Sequence, residues 1–322
     1  MDNLSYASAF KLTAFDNLGN NKYAYFSVTL TAYTLIVILN ISIITIIITE
    51  RSLHVPMYII LCNLFFSALI GSTSFYIKLM IDLLADNHVV PRFLCFMQIF
   101  FIYVYMMAEF TILTLMAYDR YTAIYTPLQY NTIMTSKRLS TLIIFAWVYP
   151  VCMMSIAVLL SARLPLCGNQ IDKSYCNNWE VVKLSCVDST ANNAYGSAVF
   201  GLFIIPVAFI IYSYVKIIIV CWNSPSSHKH KALQTCLPHL ITLVLYLSSL
   251  LFEITVSRLN LKNVQNSLST IASLEYLIIP PLLNPVIYGM ILPEIRKKVF
   301  HILEKKGRHP HLSKSVTFVL IS

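Results

Sequence analysis

Long uncharged runs separated by short polar gaps dominate this chain. No charged residue lies between Lys22 and Glu50, and none occurs from Pro56 to Ile77, Leu139 to Ala162, Ser189 to Val215 or Ala232 to Phe252. Arg92 to Asp119 encloses a single charge, Glu109, and Lys262 to Glu294 encloses Glu275 alone. Each run reaches the roughly 20 residues that an α-helix needs to cross about 30 Å of hydrocarbon. The runs are too long and too uniformly apolar for barrel strands, and a backbone facing lipid must satisfy its own hydrogen bonds, so each is read as a helix. The pattern predicts an all-α membrane protein, a seven-transmembrane-helix bundle over residues 23–292. Its spans are 23–49, 56–81, 93–124, 139–162, 194–222, 232–257 and 266–292, between an outer segment 1–22 and a tail 293–322.

Charge placement gives the orientation. The chain carries 23 Lys and Arg against 14 Asp and Glu. Fourteen of those cations fall in one set of gaps, at Arg51, Arg120, Lys137, Arg138, Lys216, Lys229, Lys231 and the seven from Arg296 to Lys314, and nine fall in the other. Positive-inside then puts the N-terminus outside and the C-terminus inside. The cations sit between spans and form no single face, so nucleic acid is not an expected partner; the lipid bilayer is. Only 11% of residues are charged, under half the soluble norm of about 25%. Residues 1–22 lack a basic-then-apolar leader, so the first span is expected to act as the targeting signal. Asn3-Leu4-Ser5 is a glycosylation triplet on the outer side, whereas Asn40-Ile41-Ser42 lies inside the first span, where no glycan is added.

Of eight cysteines, Cys95, Cys167, Cys176 and Cys186 fall at or beyond the outer surface. That is the oxidising side, where disulfides belong, and spacing leaves three pairings open. Cys221, at an inner helix end, is read as a buried thiol. No phosphate-cradling Gly-rich loop and no His-Glu-x-x-His motif occurs, so the chain is not read as an enzyme, and no cofactor or metal is expected.

Five stretches are more specific: "LHVPMYIILCNL" (53–64), "MAYDRYTAIYTPLQY" (116–130), "SYVKIII" (213–219), "KALQTCLPHL" (231–240) and "PPLLNPVIYG" (280–289). In this order, with a Cys opening the third span, they resemble the rhodopsin-like G-protein-coupled receptors and, among these, the odorant (olfactory) receptors. "CNLFFSAL", "SLLFEI" and "SLEYLIIPPLLNP" resemble the branch prominent in fish and other aquatic vertebrates. The resemblance implies a receptor that binds a small-molecule odorant and activates a heterotrimeric G protein of the stimulatory type, raising cAMP. It also implies the disulfides Cys95–Cys176 and Cys167–Cys186. The chain departs from the family at Ala68, where an Asp usually stands, so that Glu109 keeps only part of a family-style ion site. A second departure is Tyr246-Leu247, in place of an aromatic pair.

These likenesses give residues roles. Asp119 and Arg120, followed by Tyr121, end a third helix of about 45 Å at the cytoplasmic face. Arg120 can be paired with Asp119 at rest and change partners when the inner helix ends separate, which is the bistable element a switch requires. Pro285 frees a backbone carbonyl that Asn284 is expected to satisfy, and Tyr288 and Tyr214 can meet across the inner cavity once it opens. His239 is expected to bond a neighbour and exchange it on activation. A ligand is expected between the outer halves, at Tyr103, Met106 and Met107 on the third span and at Leu250, Leu251, Ile254 and Leu277 on the sixth and seventh. Glu253 can reach water or Arg258; if it or Glu275 points inward, the pocket favours amines. Residues 293–306, "PEIRKKVFHILEKK", predict an amphipathic helix on the anionic inner leaflet. A transporter would show internal repeats and broken helices in matching halves, and neither is visible. A non-olfactory receptor using the same switch is the nearer alternative.

Overall fold

The computed structural model describes residues 8–15, 21–222, 236–249, 251–252 and 265–307. Among the described residues ten α-helices follow one another: α1 (Lys22–Thr49), α2 (Pro56–Leu84), α3 (Arg92–Tyr125), α4 (Tyr130–Ile133), α5 (Ser136–Ala162), α6 (Asn178–Lys183), α7 (Thr190–Trp222), α8 (Cys236–Ser249), α9 (Gln265–Ile291) and α10 (Pro293–Gly307). The same residues include three short strands: β1 (Ala9–Leu12), β2 (Val89–Pro91) and β3 (Gln170–Ile171). Helices α1, α2, α3, α5 and α7 are each long and apolar enough to cross a membrane. With apolar α8 and proline-rich α9 they make a seven-helix bundle. After α9 the chain turns through 92° into α10. Its Ile295 is fully buried, and Lys298 Nζ pairs with Glu50 Oε2 at 2.6 Å, tying α10 to the inner end of α1.

Apolar side chains cover the outside as well as the core. Val28 and Ile38 on α1, Ile144 and Phe145 on α5, and Ile204 and Ile205 on α7 are all exposed. Lipid tails are as apolar as any core, so hydrophobicity does not decide which helix face turns inward; small and polar side chains do. Asn40 on α1 is fully buried and donates through Nδ2 to the carbonyls of Ile36 (2.8 Å) and Pro281 (2.9 Å). Trp147 Nε1 on α5 donates to Asn63 Oδ1 on α2 at 3.0 Å, and Thr111 Oγ1 on α3 donates to the Ala146 carbonyl at 2.8 Å.

Helices α2 and α3 meet at Gly71, where a Cβ would lie 2.2 Å from Tyr105 Cγ. Any side chain there forces Tyr105 aside or the helices apart, a form of overpacking that costs about 1–3 kcal/mol. Gly71→Ala is therefore expected to lower the amount of receptor at the cell surface several-fold, as read by surface labelling. Combining it with Tyr105→Ala should recover more than the two separate losses allow, and simple additivity of the losses would count against this contact.

On the outer side, β1 is the central strand of a three-stranded sheet, antiparallel to β2 and parallel to β3. Phe10, Leu12 and Phe15 turn inward, and Phe10 meets Phe96 edge to face at 6.5 Å. Both disulfides form: Cys95–Cys176 fastens the start of α3 to the second outer loop, and Cys167–Cys186 closes that loop on itself.

Candidate functional site

Two polar constructions lie at opposite ends of α3. At the inner end Asp119 is fully buried, while the Arg120 side chain is 13% exposed. Arg120 Nε donates to Asp119 Oδ2 at 3.0 Å, and Nη2 donates to the same oxygen. The other oxygen, Oδ1, accepts the Tyr130 hydroxyl at 2.7 Å. A buried carboxylate is stable only when its lone pairs are met by good donors, and these three meet them. Tyr130 comes from the cytoplasmic helix α4 and was not singled out from the sequence. Burial first, and then the Asp119 charge, push its phenol well above the ordinary value, so it stays a donor at physiological pH. Tyr121 stacks on Tyr125 with ring centres 5.1 Å apart and faces Tyr212 at 6.3 Å. Leu128, on the short turn Pro127–Gln129 beside them, is 99% exposed.

Tyr214 is buried with Ala117, Ile217, Cys236 and Leu243 between α3, α7 and α8. His239 Nδ1 lies 3.0 Å from the Tyr288 hydroxyl, and Tyr288 stands edge-on to Phe65 at 6.0 Å.

Asn284 does not do what the sequence suggested. It is buried, but neither its Oδ1 nor its Nδ2 has a hydrogen-bond partner among the described residues. Pro285 lacks the N–H that would have bonded the carbonyl of the residue four before it, Pro281. That carbonyl instead accepts Asn40 Nδ2, from a helix far away in sequence. Glu109 is likewise buried, with no hydrogen-bond partner for either oxygen among the described residues, and Ala68 offers it no ligand.

At the outer end, a cavity of about 550 Å³ opens between α3, α5, α6 and α7. Tyr103, Met106 and Met107 line it together. Its wall also takes Met154 from α5, Phe203 from α7 and Tyr246 from α8. The Tyr246 hydroxyl donates to the Met106 carbonyl, and its ring packs against Phe110 at 4.7 Å. Leu277 is buried in the main core and Leu251 is 59% exposed; neither is among the described lining residues. Leu250, Ile254, Glu253, Arg258 and Asn3 lie outside the described residues, as does the side chain of Glu275.

The sequence reading missed the outer-loop wall, Asn177, Asn178 and Trp179, which lies in and just before α6. A signal was present: Asn177 and Asn178 directly follow Cys176, and a Cys95–Cys176 bond pins them over the top of α3.

A family model described as "Olfactory receptor" matches residues 29–306. Olfactory receptor 10J5 of Homo sapiens is 30% identical over 94% of this chain and 97% of its own length. Olfactory receptor 1 of Rattus norvegicus is 32% identical over 89% of this chain and 91% of its own. Squid rhodopsin superposes with a TM-score of 0.70 over 94% of this chain and 87% of its own; at 16% identity this is a likeness of fold.

Proposed function

This chain belongs to the olfactory receptor family, and on that premise we propose that it is an odorant receptor coupled to a stimulatory G protein. It is a multi-pass protein of the plasma membrane and a receptor, not an enzyme. In our reading a small molecule settles in the outer cavity and shifts the helices toward an arrangement with an open inner face, where the G protein docks and cAMP rises.

One observation carries this reading above the others. Tyr246 lines the cavity and is bonded to the backbone of α3 at Met106, about four helical turns from Arg120. A ligand that displaces Tyr246 acts directly on the helix that carries the Asp119–Arg120 pair. Arg120 then leaves Asp119 and meets the incoming partner, Tyr214 and Tyr288 close across the gap, and His239 gives up Tyr288. The exposed Leu128 offers an apolar handle at the same mouth.

The test is a cAMP assay in cells expressing the full chain, screened with neutral volatiles, amines, carboxylic acids and amino acids. Water-soluble compounds are included because the "CNLFFSAL" and "SLLFEI" stretches resemble the aquatic branch. If no compound raises cAMP in cells with confirmed surface receptor, the coupling assignment fails. Guanine nucleotide should weaken agonist binding; an insensitive binding constant would favour a carrier.

Tyr130→Phe deletes one hydrogen bond to a buried carboxylate, worth about 1.5–3 kcal/mol, and loosens the resting hold on Arg120. Basal cAMP per surface receptor is expected to rise several-fold. Unchanged basal signalling would show that Tyr130 does not restrain the switch.

A further inference from the structure

The cavity wall carries chemistry that bears on which molecules enter. None of its described lining residues bears a charge. Its inner part is Met106, Met107, Met154 and Phe203, and thioether side chains adapt to varied apolar shapes. Its outer part is rich in amides, which are not equivalent. Asn177 is committed: its Oδ1 accepts from the Trp179 and Glu180 backbone N–H groups at 2.9 and 3.4 Å, and its Nδ2 donates to the Tyr175 hydroxyl at 3.2 Å. Asn192 donates through Nδ2 to Ser161 Oγ at 3.2 Å, which fixes the amide and leaves Oδ1 with no donor among the described residues. Asn178 Oδ1 is buried and also without a partner among the described residues. An unmet acceptor out of contact with water, as Asn178 Oδ1 is, is costly, and a molecule that supplies a donor to either amide oxygen gains a bond that an apolar analogue does not.

We propose that the cavity selects uncharged molecules that donate a hydrogen bond from one end of an apolar body, alcohols and primary amides, with Asn192 and Asn178 as the acceptors. The inference rests on the reading of the chain as a small-ligand receptor and names the ligand class for that site. An ammonium or a carboxylate entering this wall sheds its hydration without gaining a counter-ion from the described lining residues. An ether of the same length fits the apolar part but leaves the amide oxygens unmet, and a site built to bond a donor rejects the analogue that lacks one. Asn192 and Asn178 come from different elements, α7 and α6, so a bound donor also joins the fifth span to the outer loop.

The experiment uses the full-length receptor purified in detergent, with thermal stabilisation as the readout. The probes are straight-chain molecules of matched length: 1-octanol, octanamide, methyl heptyl ether, octylammonium and octanoate. The alcohol and the amide are expected to half-saturate at about tenfold lower concentration than the ether, the difference one neutral hydrogen bond makes. Asn192→Leu and Asn178→Leu should each narrow that gap. Asn192→Asp keeps the shape and the acceptor and adds a charge, so octylammonium should become the best member of the series; misfolding cannot produce such a gain. The inference is overturned if the ether equals the alcohol, or if both Leu variants keep the original ranking. Failure of every probe to stabilise the receptor also overturns it. The coupling assignment is then judged separately, by nucleotide exchange on a stimulatory G protein driven by the unliganded receptor. An alcohol that binds without raising cAMP leaves this inference standing and removes the coupling.

Discussion

Arg120→Ala should abolish agonist-stimulated cAMP per surface receptor. The guanidinium is held by Asp119 at rest, and no other residue at the inner end of α3 offers the same forked donor to an incoming partner. The substitution has a second effect that must be separated from the first. It leaves the Asp119 carboxylate, fully buried, with Tyr130 as its remaining side-chain donor, and an uncompensated buried charge costs about 3–5 kcal/mol. Some loss of surface receptor is therefore expected from the single variant. The double variant Asp119→Asn with Arg120→Ala removes the stranded charge, so the surface level should recover while signalling does not. Surface labelling and cAMP measured on the same cells distinguish the two effects. Undiminished signalling per receptor in either variant would take Arg120 out of the mechanism.

Cys95→Ser or Cys176→Ser should remove most of the receptor from the cell surface. The bond joins residues 81 apart, against 19 for Cys167–Cys186. In the chain-entropy account, closing the longer loop constrains the unfolded chain more, by about 1.3 kcal/mol at room temperature. The native contact adds to this: Cys176 N–H donates to Gln98 Oε1 at 3.0 Å, so the bond seats the outer loop on α3 beside the cavity. Removing such a bond costs about 2–5 kcal/mol. We expect surface labelling to fall about tenfold for the Cys95 and Cys176 variants and several-fold less for Cys167→Ser. Equal losses for the two bonds would mean that loop length is not what matters. A Cys95→Ser receptor that reaches the surface normally would mean that the sheet alone holds the loop.

The bundle was legible in the sequence because a membrane punishes charge, so spans announce themselves as uncharged runs. The inner ion pair was legible in part, since Asp119 and Arg120 are neighbours in the chain and stand out in an apolar context. What escaped were partners brought together from a distance. Asn40 reads locally as a useless glycosylation triplet, and nothing near it reveals that Pro285 has left a carbonyl open on α9. Tyr130 opens the four-residue helix α4, too short to show a periodicity that would place it over Asp119. The cavity was read from one helix outward, which found Tyr103, Met106 and Met107. The amides of α6 were missed because that helix has only six residues and takes its position from a disulfide and a sheet, not from its own pattern.

Strand β1 occupies the middle of that outer sheet, yet it leaves the ribosome before anything it pairs with. One neighbour, Val89–Pro91, appears only after two spans have been inserted, and the other, Gln170–Ile171, only after four. The cap over the receptor is thus completed by a segment that must wait, unpaired, on the lumenal side through most of synthesis. Leaders and epitopes added to the chain at that same end would share its path. Joined immediately ahead of Ser8, whose carbonyl already accepts from Arg92 N–H at 3.0 Å, they would compete with the last step of assembly. A spacer ahead of the strand would let it arrive on time.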